Sequence, residues 1–300
     1  MPQRRIVNAI VLRSANYRDF DRILTLFSRE EGRLSAAARG AHRAKSPLAA
    51  ASTQFTAGEF ALEEKNGKLT VRSFLLDEAF YPLREDARRL SYATALSQIV
   101  EEIVQPNQPN PDLYDAFLRA LAYLAFDQDH DCTNIALPFL LRAMAFSGHA
   151  AMLTRCAACG GRIVDARWDA LAGGVVCARH ADCPLPVITA ADMAVLRACV
   201  QGPFAPAEGD VRRLCRIAGD FVRVQLERDF DALRLAESLD AQGLGRGSQG
   251  GASPPGLPVI HQNSAQWNAV AQNGTMPRNC QKTGAFTLFL QPLEKKDLRK

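Results

Sequence analysis

No stretch of this sequence approaches the roughly 20 consecutive apolar residues that cross a bilayer. The opening, MPQRRIVNAIVLRSANYRDF, is basic at its start but has no apolar core ending in small residues. Neither a membrane span nor a secretory leader is therefore expected. The reducing compartment this implies disfavours structural disulfides. Histidine is scarce, five in 300 residues, and none stands in a Ser-His-acid arrangement. The phosphate-cradling pattern G-x4-G-K-[ST] is missing, since GRLSAAARG lacks its spacing, and so is H-E-x-x-H. Asp19 and Asp21 are close in sequence, but such a pair commonly caps or solvates a turn. Charge is nearly balanced, at net +4. The usual signatures of nucleotide hydrolysis, zinc proteolysis and triad chemistry are thus lacking.

What charge there is lies unevenly. Residues 1–50 carry ten Arg or Lys against four Asp or Glu. Arg13, Arg18, Arg22, Arg33, Arg39, Arg43 and Lys45 fall on or beside the first three predicted strands and their loops. Such side chains neutralise phosphates without reading bases, which favours sequence-independent nucleic-acid binding. Tyr17 is a candidate for stacking on bases. Phe20 is expected to close the hydrophobic interior instead.

Residues 5–80 read as five short strands: RIVNAIVLRS, DRILTLFSRE, GRLSAAARGAH, TQFTAGEFALEEK and KLTVRSFLLDEAF. Asn66-Gly67 between two apolar runs is a hairpin signal, because both residues tolerate positive φ. Five strands in so short a span predict a small antiparallel barrel. Near residue 84 the period changes to that of helices. Leu90, Ala93, Leu96, Val100 and Ile103 share one face, and QPNQPNP breaks the pattern. Leu113, Phe117, Leu121 and Leu124 mark a second helix. Ile135, Phe139, Ala143, Phe146, Ala150 and Leu153 mark a third, with Pro138 bending it or setting its start. Further helices are predicted over 189–200 and from about Glu208 towards Leu239. Beyond Asp240, GLGRGSQGGASPPGLP has the composition of a flexible linker.

Between the third and fourth helices lies RCAACGGRIVDARWDALAGGVVCARHADC. Cys156 and Cys159 form C-x2-C, and Cys177 and His180 form C-x2-H, 18 residues further on. Two such pairs close a tetrahedron around one Zn²⁺. Cys183 is an alternative fourth ligand. Four protein ligands leave no position for water, so the metal would be structural. A redox C-x-x-C would sit at a helix start in a βαβ setting, which this segment lacks. Cys132, Cys199 and Cys215 lie on predicted helices as small buried hydrophobes.

The opening VLRSANYRDFDRILTLFSREEGRLSAAARGAHRAKS, together with LPFLLRAMAFSGHAAMLTRCAACG and GGVVCARH, resembles the RecO family of bacterial DNA repair and recombination mediators, over roughly residues 1–240. The resemblance implies an α+β chain. An N-terminal OB-fold β-barrel that binds DNA would span 1–80. A helical domain would span 84–240, with an inserted zinc knuckle at 156–183. Residues 241–300 depart from the family pattern, and their composition is that of a linker and poorly ordered tail. The resemblance implies no enzymatic turnover. The implied activity is binding of single- and double-stranded DNA, annealing of complementary strands, and help in loading RecA onto DNA covered by single-stranded DNA-binding protein. The implied partners are RecR and the acidic C-terminal tail of single-stranded DNA-binding protein. That tail is expected on the helical domain beside arginines such as Arg142, Arg223 and Arg228. The implied location is cytoplasmic, at the nucleoid. The alternatives are a protein-interaction scaffold that binds no DNA, and a zinc metalloenzyme.

Overall fold

The structure is a computed structural model that describes residues 3–43, 45–181 and 184–242. The expected linker and tail after 242, and Cys183, lie outside the described residues.

Five strands open the chain: β1 (Gln3–Tyr17), β2 (Asp21–Ser28), β3 (Gly32–Ala38), β4 (Ala57–Lys65) and β5 (Lys68–Glu78). Asn66 and Gly67 both have positive φ in the β4–β5 turn, as the Asn-Gly pair predicts. Pairing runs β1-β2-β3-β5-β4, and β4 pairs again with β1. The five strands close into a barrel, and what is corrected is the expectation that they all run antiparallel, because the sheet is mixed. Four ladders are antiparallel, but β3 meets β5 in parallel, over Ala36↔Leu69 and Ala37↔Thr70. The reason is parity: five strands paired around a cycle cannot alternate direction throughout, so one seam runs parallel. That seam is the short one. The observed α+β fold is an N-terminal mixed sheet followed by a helical bundle.

The middle of β1, Ala9 to Leu12, is buried on both faces, which explains its continuous apolar run. Val7, Ala9 and Val11 pack with Leu24, Leu26, Leu34, Phe60 and Leu62 inside the sheet. Ile10 and Leu12 point the other way, into the helical core.

That core is built by α1 (Ala87–Ile103), α2 (Pro111–Phe126), α3 (Cys132–Phe146), α4 (Ala190–Val200), α5 (Arg212–Gln225) and α6 (Asp231–Ala241). Asp86, Asn110, Asp131 and Thr189 cap the starts of α1 to α4 by accepting backbone N–H bonds. Pro138 lies inside α3, which neither starts there nor reaches Leu153. It stops at Phe146, where the Gly148 turn at φ 89 lets the His149 N–H return to the Met144 carbonyl. The single helix expected from Glu208 to Leu239 is two. Glu227 takes φ 49 and Phe230 is extended, which separates α5 from α6.

Sheet and helices belong to one compact unit, Met1–Gly247. Arg29 forms a two-pronged ion pair with Asp115, at 3.0 and 3.1 Å. The Phe27 and Tyr114 rings meet edge to face at 5.4 Å. The buried Ser97 hydroxyl donates to the Leu12 carbonyl at 3.0 Å.

Candidate functional site

Two sites stand apart: a Cys/His cluster and a basic loop surface. The cluster sits on a short hairpin, β6 (Arg167–Asp169) and β7 (Gly174–Val176). The chain enters it at Cys156, whose N–H donates to the Gly161 carbonyl at 2.9 Å; Gly160 turns back at φ 68, and its N–H reaches the Cys156 carbonyl at 2.8 Å. This tight turn brings both sulfurs of the C-x2-C pair to one cluster, Cys156 buried and Cys159 exposed. Ala157 bonds to Val175 at 2.8 Å, which ties the turn to β7. Cys177 follows β7 directly, and a single 3-10 turn, Ala178–His180, swings the imidazole back. The Cys177 sulfur and His180 Nδ1 lie 3.1 Å apart.

The Sγ atoms of Cys156, Cys159 and Cys177 and a ring nitrogen of His180 all lie within 4.8 Å of one another. Tetrahedral zinc with Zn–S near 2.3 Å sets ligand atoms about 3.8 Å apart, so the four donors fit a single ion. Electrostatics favours a thiolate. Burial opposes ionisation of Cys156, but N–H groups of Cys177, Cys159 and Ala158 directed at its sulfur outweigh this and lower its pKa to about 6. Cys159 moves the other way. The Gly161 N–H lowers it, but the neighbouring Cys156 and Cys177 sulfurs and burial together raise it. One negative sulfur thus discourages a second, a conflict that a bound cation relieves. The module is anchored to the helices. Trp168 packs edge to face on Phe221 at 5.5 Å, Gln225 donates to the Ala170 carbonyl at 2.6 Å, and Arg197 donates to the Leu153 carbonyl at 2.8 Å.

The basic residues divide into two groups. Arg13 pairs with Glu101 at 3.2 Å. Arg22 donates to the Ser52 carbonyl at 3.1 Å and approaches His42 Nδ1 at 3.2 Å. Arg33 donates to the Glu101 carbonyl at 2.9 Å. These three are engaged within the fold. Arg18, Arg39, Arg43 and Lys45 are exposed, and no ion pair joins them to another described residue. They stand on two loops that are bonded together: the Asp21 carboxylate accepts the Gly40 N–H at 2.8 Å, and the His42 N–H donates to the Phe20 carbonyl at 3.0 Å. Tyr17, at the end of β1, and Phe20, in the turn that follows, are both exposed beside these cations. Phe20 is 50% exposed and does not close the interior as expected. The pattern around it is that of a turn residue between two strands, so its exposure could have been read from the turn itself.

The arginines expected to seat an acidic tail are also engaged. Arg142 donates to the carbonyls of Cys199, Gln201, Gly202 and Pro203 at the end of α4. Arg223 pairs with Asp220 and Glu237, and Arg228 with Glu102.

This sequence matches two family models, described as Recombination protein O N terminal, over residues 4–74, and Recombination protein O C terminal, over residues 84–234. The chain belongs to the RecO family of DNA repair and recombination proteins. It is 28% identical over 242 residues to the DNA repair protein RecO of Acetivibrio thermocellus, covering 78% of this chain and 96% of the relative. The RecO of Symbiobacterium thermophilum is 29% identical over 241 residues, covering 77% of this chain and 91% of the relative. That of Alkaliphilus metalliredigens is 34% identical over 168 residues, covering 56% of this chain and 68% of the relative. No helix among the described residues is long and apolar enough to cross a membrane.

Proposed function

We propose that the protein binds single- and double-stranded DNA through the loops bearing Arg18, Arg39, Arg43 and Lys45, and anneals complementary strands. It would act with RecR and with the acidic C-terminal tail of single-stranded DNA-binding protein in helping to load RecA. The observation that carries the DNA-binding reading is the exposure of these four cations without ion-pair partners among the described residues, on loops held as one surface. Annealing requires that repulsion between phosphates be screened while base edges stay free to pair. Cations that hold the backbone do both, and no catalytic group is needed.

The metal in this reading is Zn²⁺, held by Cys156, Cys159, Cys177 and His180. Four protein donors fill a tetrahedral shell, so the ion holds the hairpin together and has no open position at which to activate water.

Titration of labelled single-stranded DNA at several salt concentrations tests the proposal. Affinity should fall linearly with salt on logarithmic axes. No binding at low salt would overturn it in favour of a scaffold that contacts proteins alone.

A further inference from the structure

Two large aromatic rings stand out of the basic loops into solvent. Tyr17 is 46% and Phe20 50% exposed, whereas Phe27, Phe55 and Phe60, in and beside the sheet, are fully buried. Each exposed ring carries a cation. The Arg18 guanidinium lies 5.2 Å from the Tyr17 centroid and that of Arg43 lies 5.1 Å from the Phe20 centroid. The rings flank one short turn, Arg18 to Phe20, whose entry takes φ 57 at Arg18. The far side of that turn is pinned by the Asp21–Gly40 and Phe20–His42 hydrogen bonds. Tyr17 is the last residue of β1. The rings are therefore presented by backbone that hydrogen bonds hold in place, and the arginines over them have no ion-pair partner among the described residues.

An exposed apolar ring costs solvation free energy, and a fixed pair of them beside unpaired cations matches the chemistry of a single strand. Each nucleotide offers one π face and one phosphate. Aromatic side chains stack on unpaired bases, and arginines take the phosphates. In a duplex the base faces are already stacked on their neighbours and cannot be offered to a ring.

We infer that Tyr17 and Phe20 form a base-stacking platform that makes this surface prefer unpaired DNA over duplex. Arg18 and Arg43 leave their rings for the adjacent phosphates as the bases arrive. The platform loses its hold as the bases pair, so the annealed product is released more readily than either strand is captured. This rests on the DNA-binding role proposed for the same loops and adds a selectivity that phosphate binding alone cannot supply.

The test uses the full chain, with the substitutions Tyr17→Leu and Phe20→Leu singly and together. Fluorescence anisotropy measures binding to a single strand, to a duplex of equal length, and to a strand of the same length whose bases are replaced by abasic sites. Each substitution should weaken single-strand binding about fivefold or more. Duplex binding should stay within about twofold, and the salt slope should not change, because every cation that meets a phosphate is still present. The wild type should bind the abasic strand less tightly than the normal strand, and the double variant should not distinguish them. Tyr17→Phe and Phe20→Tyr, which keep a ring, should retain the preference. If the wild type binds single strands but the double variant keeps the full preference for normal over abasic DNA, the platform is overturned while the DNA-binding role survives. A wild type that binds no DNA overturns both. Matched melting curves for wild type and variants exclude loss of fold as the cause.

Discussion

The Arg33 guanidinium donates to the carbonyl oxygen of Glu101 in α1 across 2.9 Å, and the Arg33 backbone N–H donates to the Gln105 carbonyl at 3.2 Å. An arginine that looks from its neighbours like part of a DNA-facing set is a strut between sheet and helices. Replacing Arg33 by Ala should therefore lower stability by about 1.5–3 kcal/mol, the range for a hydrogen bond that involves a charged group. It should leave the salt slope of DNA binding unchanged. Combined replacement of Arg39, Arg43 and Lys45 should do the reverse, with stability nearly unchanged and the slope reduced by about 1 for each phosphate no longer neutralised. Urea unfolding and salt-dependent anisotropy on the two proteins separate the roles.

Gly32 sits on the same seam. It has φ +73, and a Cβ there would lie 2.3 Å from the Gln108 carbonyl oxygen and 2.6 Å from that of Gln105. Both obstacles are backbone and cannot swing aside. Gly32→Ala should cost at least about 1–2 kcal/mol from the left-handed conformation, and more from the displaced 105–108 segment. A lower urea midpoint with an unchanged m-value is the expected result.

The purified chain should carry about one zinc per molecule. His180→Ala and Cys177→Ser should each lower metal content and chelator resistance, because either leaves three donors of the four that converge. Cys183→Ala should leave both unchanged. Elemental analysis with chelator competition decides. Zinc lost on Cys183→Ala and retained on His180→Ala would transfer the fourth position to Cys183. Removing the metal should loosen the hairpin that Trp168 holds against Phe221, visible as a change in tryptophan fluorescence.

Stability should also depend on acid in a defined window. Burial raises the Asp131 carboxyl, but Arg88, bonded to it at 2.6 and 2.7 Å, and the N–H and hydroxyl of Thr133 outweigh burial and bring its pKa to about 2. An unfolded aspartate titrates near 3.9. A depressed folded pKa means that this contribution is complete above about pH 4 and is lost as pH falls towards 2. Asp131→Asn should flatten the slope of stability against pH in that window, as measured by urea unfolding at successive pH values.

The sequence signals that proved reliable are those whose cause is local. Asn66-Gly67 forms its turn because both residues accept positive φ, and the C-x2-C pair is followed by Gly160, whose positive φ turns the chain back. Boundaries that depend on neighbours were less legible. The apolar stripe of α3 continues past Phe146, but the turn at Gly148 ends the helix there. The α5 pattern runs on into α6 although Glu227 breaks it. The basic residues were legible as a set and illegible as individuals. Whether Arg22 faces a phosphate or Ser52 depends on a loop distant in sequence that periodicity cannot see.

Asp240 accepts from Arg88 at the start of α1 and, at 2.5 Å, from the buried Tyr92 hydroxyl one turn further on. The last described helix is thus clasped to the first. The family match stops at residue 234, short of this clasp. A protein trimmed to that boundary would keep every matched residue and still leave the Tyr92 hydroxyl without its acceptor inside the core. The compact unit is therefore longer than the stretch by which its kinship is recognised, and a version cut at residue 234 gives up the clasp.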